Sequence, residues 1–229
     1  MFKKILLGLT TTKGSDWRQK IKEIELYDLK EIALFLTCLN KLEREELYNL
    51  LEKTKIKKIP HVHLRTDMDI SELDYLIKRY NTKIFNLHSQ KQFPIDKTYI
   101  KYKKMIFLEN TQVIPTEEEL KEYGGLCLDV AHWHNAIITN YSEYNNFDYL
   151  VKKFPIGCCH ISAIRETYTF DDDYALWKSY DSHFFENLNE FNYLKKYLKY
   201  LPKIISLELE NSFKDQLKVK EYLKKNIFN

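Results

Sequence analysis

The sequence alternates short apolar runs with amphipathic segments, and this repeat constrains the fold more than any other feature. Runs of four to eight apolar residues bounded by turn-forming residues are typical of strands buried on both faces. Eight such runs occupy residues 4–9, 32–36, 59–64, 83–88, 105–110, 125–130, 155–160 and 203–210. Segments with helical spacing follow them, for example residues 43–54 and 70–80.

This alternation predicts the α/β class and a single (β/α)8 TIM barrel. A chain of 229 residues divided into eight strand–helix units has a repeat of about 28 residues. An open doubly wound sheet is the competing fold, but no glycine-rich phosphate-binding loop supports it. We find no linker or low-complexity tract, so residues 1–229 are expected to form one domain.

Several segments are predicted to be irregular, or to be helices that the apolar spacing delimits only approximately. Residues 89–104 contain Pro94 and are expected to form an irregular helix. Residues 161–187 are expected to form a long loop, of the kind that is usually functional, before a helix at 188–200. The helix after the sixth strand is placed at residues 147–154, and the last helix at 219–225.

Composition restricts the partner and the compartment only loosely. The formal net charge of +3 is too small to identify a nucleic-acid partner. No run approaches the roughly 18 apolar residues of a membrane span, and the first apolar run is too short for a signal peptide. The four cysteines show neither metal-ligand nor disulfide spacing, so we expect reduced, mostly buried thiols in a cytoplasmic protein. Nothing indicates an obligate protein partner.

Side chains of the kind that bind metals lie at the carboxyl ends of six predicted strands. These side chains are His61, His63, His88, Glu109, Asp129, His132, His160, Glu208 and Glu210. Because the carboxyl ends of barrel strands meet at one rim, we expect them to converge there. Imidazole and carboxylate are the ligands that Zn, Mn, Fe and Co prefer. At Asp129 the alternative is a helix cap, with His132 and His134 exposed on the first turn.

The order of these residues resembles the xylose isomerase-like TIM barrel superfamily (AP endonuclease family 2), and within it endonuclease IV. That family binds three metal ions through a His, a His, a Glu, an Asp-x-x-His, a His, an Asp-x-His and a final Glu. The matching residues are His61, His88, Glu109, Asp129, His132, His160, Asp181, His183 and Glu210. His63 and Glu208 share strand faces with His61 and Glu210 and are the second choices.

The resemblance implies a divalent-metal-dependent phosphodiester hydrolase that acts on damaged, abasic DNA. It implies up to three ions, zinc first and Mn, Co or Fe as alternatives, with Glu109 bridging metals and Asp181 and His183 holding the third ion. Arg65 and Arg165 are the candidate substrate-binding residues. Three aromatic residues are also candidates for base contact, although packing explains them equally well: Trp133, Tyr168 and Trp177.

Two other functions remain open at this stage. A sugar or sugar-phosphate isomerase or epimerase of the same superfamily would need only Glu109, Asp129, His160 and Glu210, and no Asp181-x-His183 pair. In that case Asp181 could cap the following helix. A metal-binding barrel without activity is the third possibility. The chain is also shorter than the endonuclease IV enzymes and lacks the glycine-rich stretches that accompany their motifs.

Overall fold

The computed structural model describes residues 3–95, 97–170 and 178–228. Its strands are β1 (Lys4–Leu6), β2 (Gly8–Leu9), β3 (Ala33–Phe35), β4 (His61–His63), β5 (Ile84–His88), β6 (Ile106–Glu109), β7 (Leu126–Asp129), β8 (Ile156–Ile161), β9 (Ala163–Phe170), β10 (Lys178–Ser182) and β11 (Ile204–Leu207). Its α-helices are α1 (Trp17–Leu26), α2 (Lys41–Glu52), α3 (Ile70–Tyr80), α4 (Glu117–Glu122), α5 (Val130–Thr139), α6 (Phe147–Lys153) and α7 (Phe213–Asn226). Lys97–Met105, Ser142–Tyr144 and Leu188–Lys196 are 3-10 helices.

Nine strands form one parallel sheet that closes on itself. Their order is β1-β11-β8-β7-β6-β5-β4-β3-β2. β1 pairs with β11 while β2 pairs with β3, so these two short strands are the halves of one interrupted N-terminal strand. The sheet therefore has eight strand positions around a closed barrel, and the predicted α/β fold, a (β/α)8 TIM barrel, is confirmed.

The barrel seam is closed by a buried glutamine at the break in the N-terminal strand. A Cβ atom at Gly8 would lie 1.8 Å from the carbonyl oxygen of Leu207, so this position requires glycine. Gln216 of α7 accepts from the Gly8 N–H at 2.7 Å and donates to the carbonyl oxygens of Gly8, Leu209 and Asn211. The Gln216 side-chain amide thus takes the place of the backbone hydrogen bonds that β2 and β11 do not make with each other.

Most of the apolar core lies between the barrel and its helices, and the barrel interior is largely polar. Residues such as Leu34, Leu73 and Phe191 belong to the outer core. A separate small cluster of Leu6, Ala33 and Phe35 fills part of the interior. Since side chains alternate along each strand, the inward positions nearest the carboxyl ends are free to carry polar groups.

Several connections differ from their predicted forms. The irregular helix expected over 89–104 is the 3-10 helix Lys97–Met105. The last helix starts at Phe213, not at residue 219, because Ser212 caps it by accepting from the Asp215 N–H. The helix α5 follows β7 directly, and the sequence indicated it only through the alternative in which Asp129 caps a helix. Consecutive residues of α5 are buried, including Val130 and Ala131, so no one-sided apolar pattern marks it.

The segment expected to be a long loop contains the antiparallel pair β9–β10. Asp181 lies opposite Ile164 in this pair. The pairing register of the two strands shifts between Ser179 and Asp181. Asn135 of α5 holds β10, donating to the Lys178 carbonyl and accepting from the Tyr180 N–H. Asp171, Asp172, Asp173 and Trp177 lie outside the described residues. Across the described ranges, no helix is long and apolar enough to cross a membrane.

Candidate metal centre

Four buried side chains from neighbouring strands meet at the carboxyl end of the barrel. They are Glu109, Asp129, His160 and Glu208, and their ligand atoms all lie within 4.8 Å of one another. His160 Nδ1 is 3.0 Å from Glu208 Oε2, 3.4 Å from Glu109 Oε2 and 3.9 Å from Asp129 Oδ2. We call these four residues the central group. Three carboxylates and one imidazole within such distances can coordinate a divalent ion.

A second group of donors shares Glu109 with the central group. It comprises His63, His88 and Glu109, again with ligand atoms within 4.8 Å of one another. His63 Nδ1 donates to the Leu64 carbonyl at 2.9 Å, which leaves the lone pair of Nε2 facing Glu109 Oε2 at 3.1 Å. Two acceptors this close require a proton or a cation between them. Glu109 is therefore placed to bridge two ions.

The third set of predicted ligands lies on the same rim but is already partly paired. His132 Nδ1 is hydrogen-bonded to Asp181 Oδ2, and His132 Nε2 is 3.9 Å from Asp129 Oδ2. Asp181 does not cap a helix; its other oxygen accepts from the Ser179 hydroxyl. His183 lines the same cavity as His132. The structure thus brings His132, Asp181 and His183 to one side of the central group.

Buried polar atoms without hydrogen-bond partners test whether these residues fit metal ions. Among the described residues such atoms are Thr37 Oγ1, His63 Nε2, Tyr80 OH, His88 Nδ1, Asp129 Oδ2, His160 Nδ1, His160 Nε2 and Ser162 Oγ. Five of these eight atoms belong to the two donor groups. Each unpaired buried group costs about 1–3 kcal/mol, and such atoms are rare in folded proteins. Coordination of cations would satisfy them, so the donor set fits divalent ions.

The crowding of charges shifts several pKa values at the rim. Burial, reinforced by the nearby Glu109 carboxylate, raises the pKa of Asp129 to about 6. Burial alone would lower the pKa of His132, but the carboxylates of Asp129 and Asp181 outweigh it and raise that pKa to about 10. Burial lowers the pKa of His88 to about 4. In the metal-free protein His132 is therefore cationic at neutral pH and would have to release this proton to bind a metal, whereas His88 is neutral and able to bind a metal.

Asp129 combines the two roles that the sequence left as alternatives. Its Oδ1 caps α5 by accepting from the His132 N–H at 2.7 Å. Its Oδ2 is buried without a hydrogen-bond partner and faces His160. Asn110 fixes the backbone here, donating to the Asp129 carbonyl and accepting from its N–H, both at 2.8 Å. The cap therefore orients the carboxylate and leaves one oxygen available to a metal.

His61, the first choice on β4, lies one layer below the rim. Its Nε2 is 3.0 Å from Asn86 Oδ1 and its Nδ1 is 2.7 Å from the Ser206 hydroxyl. Asn86 in turn donates to Glu109 Oε2 at 2.6 Å. The rim position on this strand belongs to His63, the second choice. Sequence reasoning missed Asn86, although it precedes His88 by two residues and so shares its face of the strand.

Glu210 lies apart from the central group, which contains Glu208, the second choice. Glu210 Oε1 accepts from the Thr12 hydroxyl at 2.5 Å, and its carboxylate packs against Gly14. The reason is that β11 ends at Leu207, so the alternation of faces does not extend to residue 210. The Glu210 N–H instead donates to the His183 carbonyl at 2.6 Å.

A cavity of about 630 Å³ lies over the donor groups. It is lined by Thr12, Thr37, Cys38, His63, His88, Gln92, Phe93, Glu109, Thr111, Gln112, His132, His183 and Glu208. Arg65 lines an adjoining cavity of about 160 Å³ together with His63 and His88. Its guanidinium donates to the Thr37 carbonyl at 2.5 Å and to Asp67 at 2.9 Å. Arg65 therefore lines a cavity next to the second donor group, with its guanidinium paired to Asp67.

The other candidates for substrate contact have different surroundings. Arg165 donates to the Phe184 carbonyl at 2.7 Å and lies 3.3 Å from Glu186, and it lines neither of these cavities. Trp133 is buried against Phe147 of α6 and against Tyr197, which directly follows the last 3-10 helix, so its role is packing. Tyr168 is 43% exposed on β9. Trp177 lies outside the described residues.

Comparisons with known proteins add one structural similarity. No protein-family model matches the sequence, and no curated protein matches it significantly. The chain is similar to the crystal structure of a xylose isomerase-like TIM barrel protein from Mycobacterium smegmatis in complex with magnesium. The two share 12% sequence identity over 97% of each chain, with a TM-score of 0.48.

Proposed function

We propose that this protein is a divalent-metal-dependent phosphodiester hydrolase with a multinuclear metal centre, and that damaged DNA is its substrate. The observation that carries the proposal is that Glu109 belongs to two donor groups at once. A carboxylate shared in this way can bridge two ions. Paired ions act as a clamp on the attacking and leaving oxygens of a phosphodiester, which is the common use of such centres.

The protein's own residues would position the reacting groups around these ions. Bound divalent ions would lower the pKa of water to about 7 and neutralise phosphate charge. Glu109 stays ionised because, although burial opposes this, His160 and His63 hold its pKa well below the usual range. Asp181 and His183, together with His132, would hold a third ion. Glu109 and Asp181 are thus the principal catalytic candidates, with His183.

Features around the cavity favour a nucleic-acid substrate. Arg65 lines a cavity with His63 and His88, and its guanidinium, which now pairs with Asp67, could pair with a phosphate there instead. The β9–β10 pair that carries Asp181 also exposes Tyr168 and Phe170, at 43% and 57%. Exposed aromatic rings stack on bases and contribute about 1–3 kcal/mol per base. Lys178 lies 5.0 Å from the Tyr168 ring centroid and adds positive charge to this surface.

The test combines metal counting with a cleavage assay. Protein purified without chelator should contain close to three ions per chain by elemental analysis, with zinc expected first and manganese, cobalt or iron as alternatives. It should cleave a duplex oligonucleotide that carries one abasic site, and dialysis against a chelator should abolish cleavage. Asp181→Asn should also abolish cleavage in folded protein, whereas Asp148→Asn, a change on the exposed face of α6, should not. Metal-loaded, folded protein without cleavage would contradict the proposal.

A metal-dependent sugar or sugar-phosphate isomerase or epimerase is the second candidate. It is favoured by one observation: the central group provides four ligands without any contribution from His132, Asp181 or His183. One ion there could polarise a hydroxy-ketone while Glu109 and Glu208 transfer protons. This function predicts one or two ions per chain, isomerisation of a sugar phosphate, and an Asp181→Asn variant that retains activity.

A further inference from the structure

We propose that the barrel interior contains a second kind of metal site, formed by His61, Cys127 and Cys158, that binds a thiophilic divalent ion such as Zn²⁺. The donor atoms of these three residues lie within 4.8 Å of one another. All three residues are fully buried. The site uses none of the rim ligands, so it is independent of the proposed hydrolase function, and when it is occupied it adds one ion per chain to those expected at the rim.

The period of the strands places these residues directly below the rim. His61, Cys127 and Cys158 each precede a rim donor by two residues on β4, β7 and β8. Cys127 and Cys158 are also direct partners in the parallel pairing of β7 and β8. The sequence hides this relationship because the two cysteines are distant in the chain and each lies within an apolar run. Only the register of the strands brings the thiols together.

The separation of the donors suits three of the four ligand positions of a tetrahedral ion, and a water or hydroxide would occupy the fourth. Zinc binds sulfur at about 2.3 Å, so two ligands of one tetrahedral ion lie ~3.8 Å apart. Donor atoms that are already within 4.8 Å of one another need only small side-chain rotations to reach that spacing. Neighbouring strands fix the backbone on both sides of the site, which limits how far the ligands can drift.

Charge balance favours a dication at this position. Two thiolates and one neutral imidazole carry a formal charge of −2, which a divalent ion neutralises. A buried ion needs such neutralisation because desolvation of an unpaired charge costs many kcal/mol. Thiolate ligands also discriminate between metals, because they favour zinc and similar soft ions over magnesium or manganese. The interior site would therefore exclude the hard ions, such as magnesium or manganese, that the carboxylate-rich rim can accept.

The hydrogen bonds of His61 are those of a metal ligand. Asn86 Nδ2 donates to Glu109, so Asn86 Oδ1 is the atom that faces His61 Nε2, at 3.0 Å. This oxygen can only accept, and Nε2 therefore carries the ring hydrogen. The lone pair of Nδ1 is left for a ligand role, and its present partner is the Ser206 hydroxyl, which can rotate away. Metal-binding histidines typically donate their other ring N–H in this manner.

The rim offers a path for the ion into this buried site. Cys127 also belongs to a donor group with Glu109 and His160, whose ligand atoms lie within 4.8 Å of one another. An ion that enters through the cavity can therefore pass from oxygen and nitrogen ligands at the rim to Cys127 without leaving coordination range. Cys159, by contrast, is buried in the outer core between barrel and helices.

Cobalt(II) provides the test, because thiolate ligation gives an intense charge-transfer absorption that oxygen and nitrogen ligands do not give. The reduced, metal-free full chain is titrated anaerobically with cobalt(II) chloride. We expect the absorption in the wild-type protein and in Cys159→Ala, a buried-cysteine control from the same strand. We expect Cys127→Ala and Cys158→Ala to lose it while they still bind cobalt at the rim, as measured by elemental analysis. Circular dichroism establishes that each variant is folded.

Two results of the cobalt titration would overturn the proposal. One is cobalt-loaded, folded wild-type protein without the charge-transfer absorption, and the other is an absorption that survives in folded Cys158→Ala. If both alanine variants fail to fold, X-ray absorption of the zinc-loaded wild-type chain decides, since the proposal requires sulfur neighbours around zinc. A spectrum with only oxygen and nitrogen neighbours would refute it. Loss of cleavage in Glu208→Gln with the cobalt absorption intact would separate this site from the rim.

Discussion

The Asn86 amide nitrogen donates to Glu109 Oε2 across 2.6 Å, inside the barrel. Asn86 also accepts from His61, so a chain of hydrogen bonds runs from the interior to the carboxylate that both rim donor groups share. The same oxygen of Glu109, Oε2, also faces His63 Nε2 at 3.1 Å and His160 Nδ1 at 3.4 Å. Hydrogen bonds from the barrel interior thus orient the Glu109 carboxylate before any metal binds, as is common for carboxylate ligands.

Asn86→Ala should weaken metal binding at the rim without unfolding the barrel. The substitution removes the donor that orients Glu109, and loss of such an outer partner typically lowers metal affinity about 10–100-fold. Competition with a chelating dye measures the affinity. Asn145→Ala, an exposed change, serves as the control and should leave the affinity unchanged. Equal affinities for the two variants would show that Asn86 does not position the carboxylate.

Glu208→Gln and Glu210→Gln should differ sharply in metal content. Glu208 lies 3.0 Å from His160 in the central group, whereas Glu210 binds the Thr12 hydroxyl. We expect Glu208→Gln to lower the affinity at least ~10-fold, and Glu210→Gln to bind metal like the wild type. Elemental analysis after dialysis against a weak chelator distinguishes them. The opposite ranking would support the sequence-based choice of Glu210.

The barrel could be predicted because its strands are buried on both faces. Such strands appear in the sequence as continuous apolar runs, and all eight strand positions follow from them. The convergence of His88, Glu109, Asp129 and His160 follows from the same argument, since all four end parallel strands. The order of the parallel strands is enough to place those residues at one rim, and that order can be predicted from the sequence.

The remaining features depend on details that periodicity does not encode. The choice between Glu208 and Glu210 depends on where β11 ends, and pairing with β8 decides that. Asp181 reaches the rim because β9 and β10 pair. Residues 167–170 alternate threonine with Tyr168 and Phe170, as a strand does, but the prediction placed them in a loop. Asp129 caps a helix and faces His160 at the same time, so its two possible roles were never exclusive.

The stability of the metal-free protein should fall between neutral and alkaline pH because of His132. The carboxylates of Asp129 and Asp181 overcome burial and raise its pKa from 6.5 to about 10. A raised pKa in the folded state stabilises the protein fully below pH 6.5, and this contribution is lost as pH rises through about 10. The loss should be on the order of 3 kcal/mol.

Urea denaturation at neutral pH and near pH 10 measures this change. His132→Gln should show a smaller decrease in the free energy of unfolding than the wild type, because the titrating group is absent. Asp181→Asn should give an intermediate decrease, since one of the two carboxylates remains. Identical decreases in wild type and His132→Gln would mean that other groups account for the pH dependence.

Gln216→Leu should destabilise the barrel seam by at least ~3 kcal/mol. The substitution removes the partner of the Gly8 N–H and of the Gly8 and Asn211 carbonyl oxygens, and each such loss costs about 1–3 kcal/mol. The Leu209 carbonyl oxygen still accepts from Thr10 and Lys20. Chemical denaturation gives the change in unfolding free energy. Lys214→Ala, at an exposed position of the same helix, should stay within about 0.5 kcal/mol of the wild type. A mild effect of Gln216→Leu would imply that water replaces the amide.

Arg65→Ala should weaken substrate binding, whereas Arg165→Ala should leave it unchanged. Arg65 lines a cavity with His63 and His88, while the guanidinium of Arg165 binds the Phe184 carbonyl outside it. Under the proposed function, loss of a phosphate contact that is present in both the substrate complex and the transition state raises KM and leaves kcat unchanged. We expect about a 10-fold increase in KM for Arg65→Ala, since hydrogen bonds to charged groups contribute about 1.5–3 kcal/mol. Steady-state cleavage of the abasic oligonucleotide measures both constants, and Arg165→Ala should change neither. An unchanged KM in folded, metal-loaded Arg65→Ala would remove Arg65 from the substrate-binding surface.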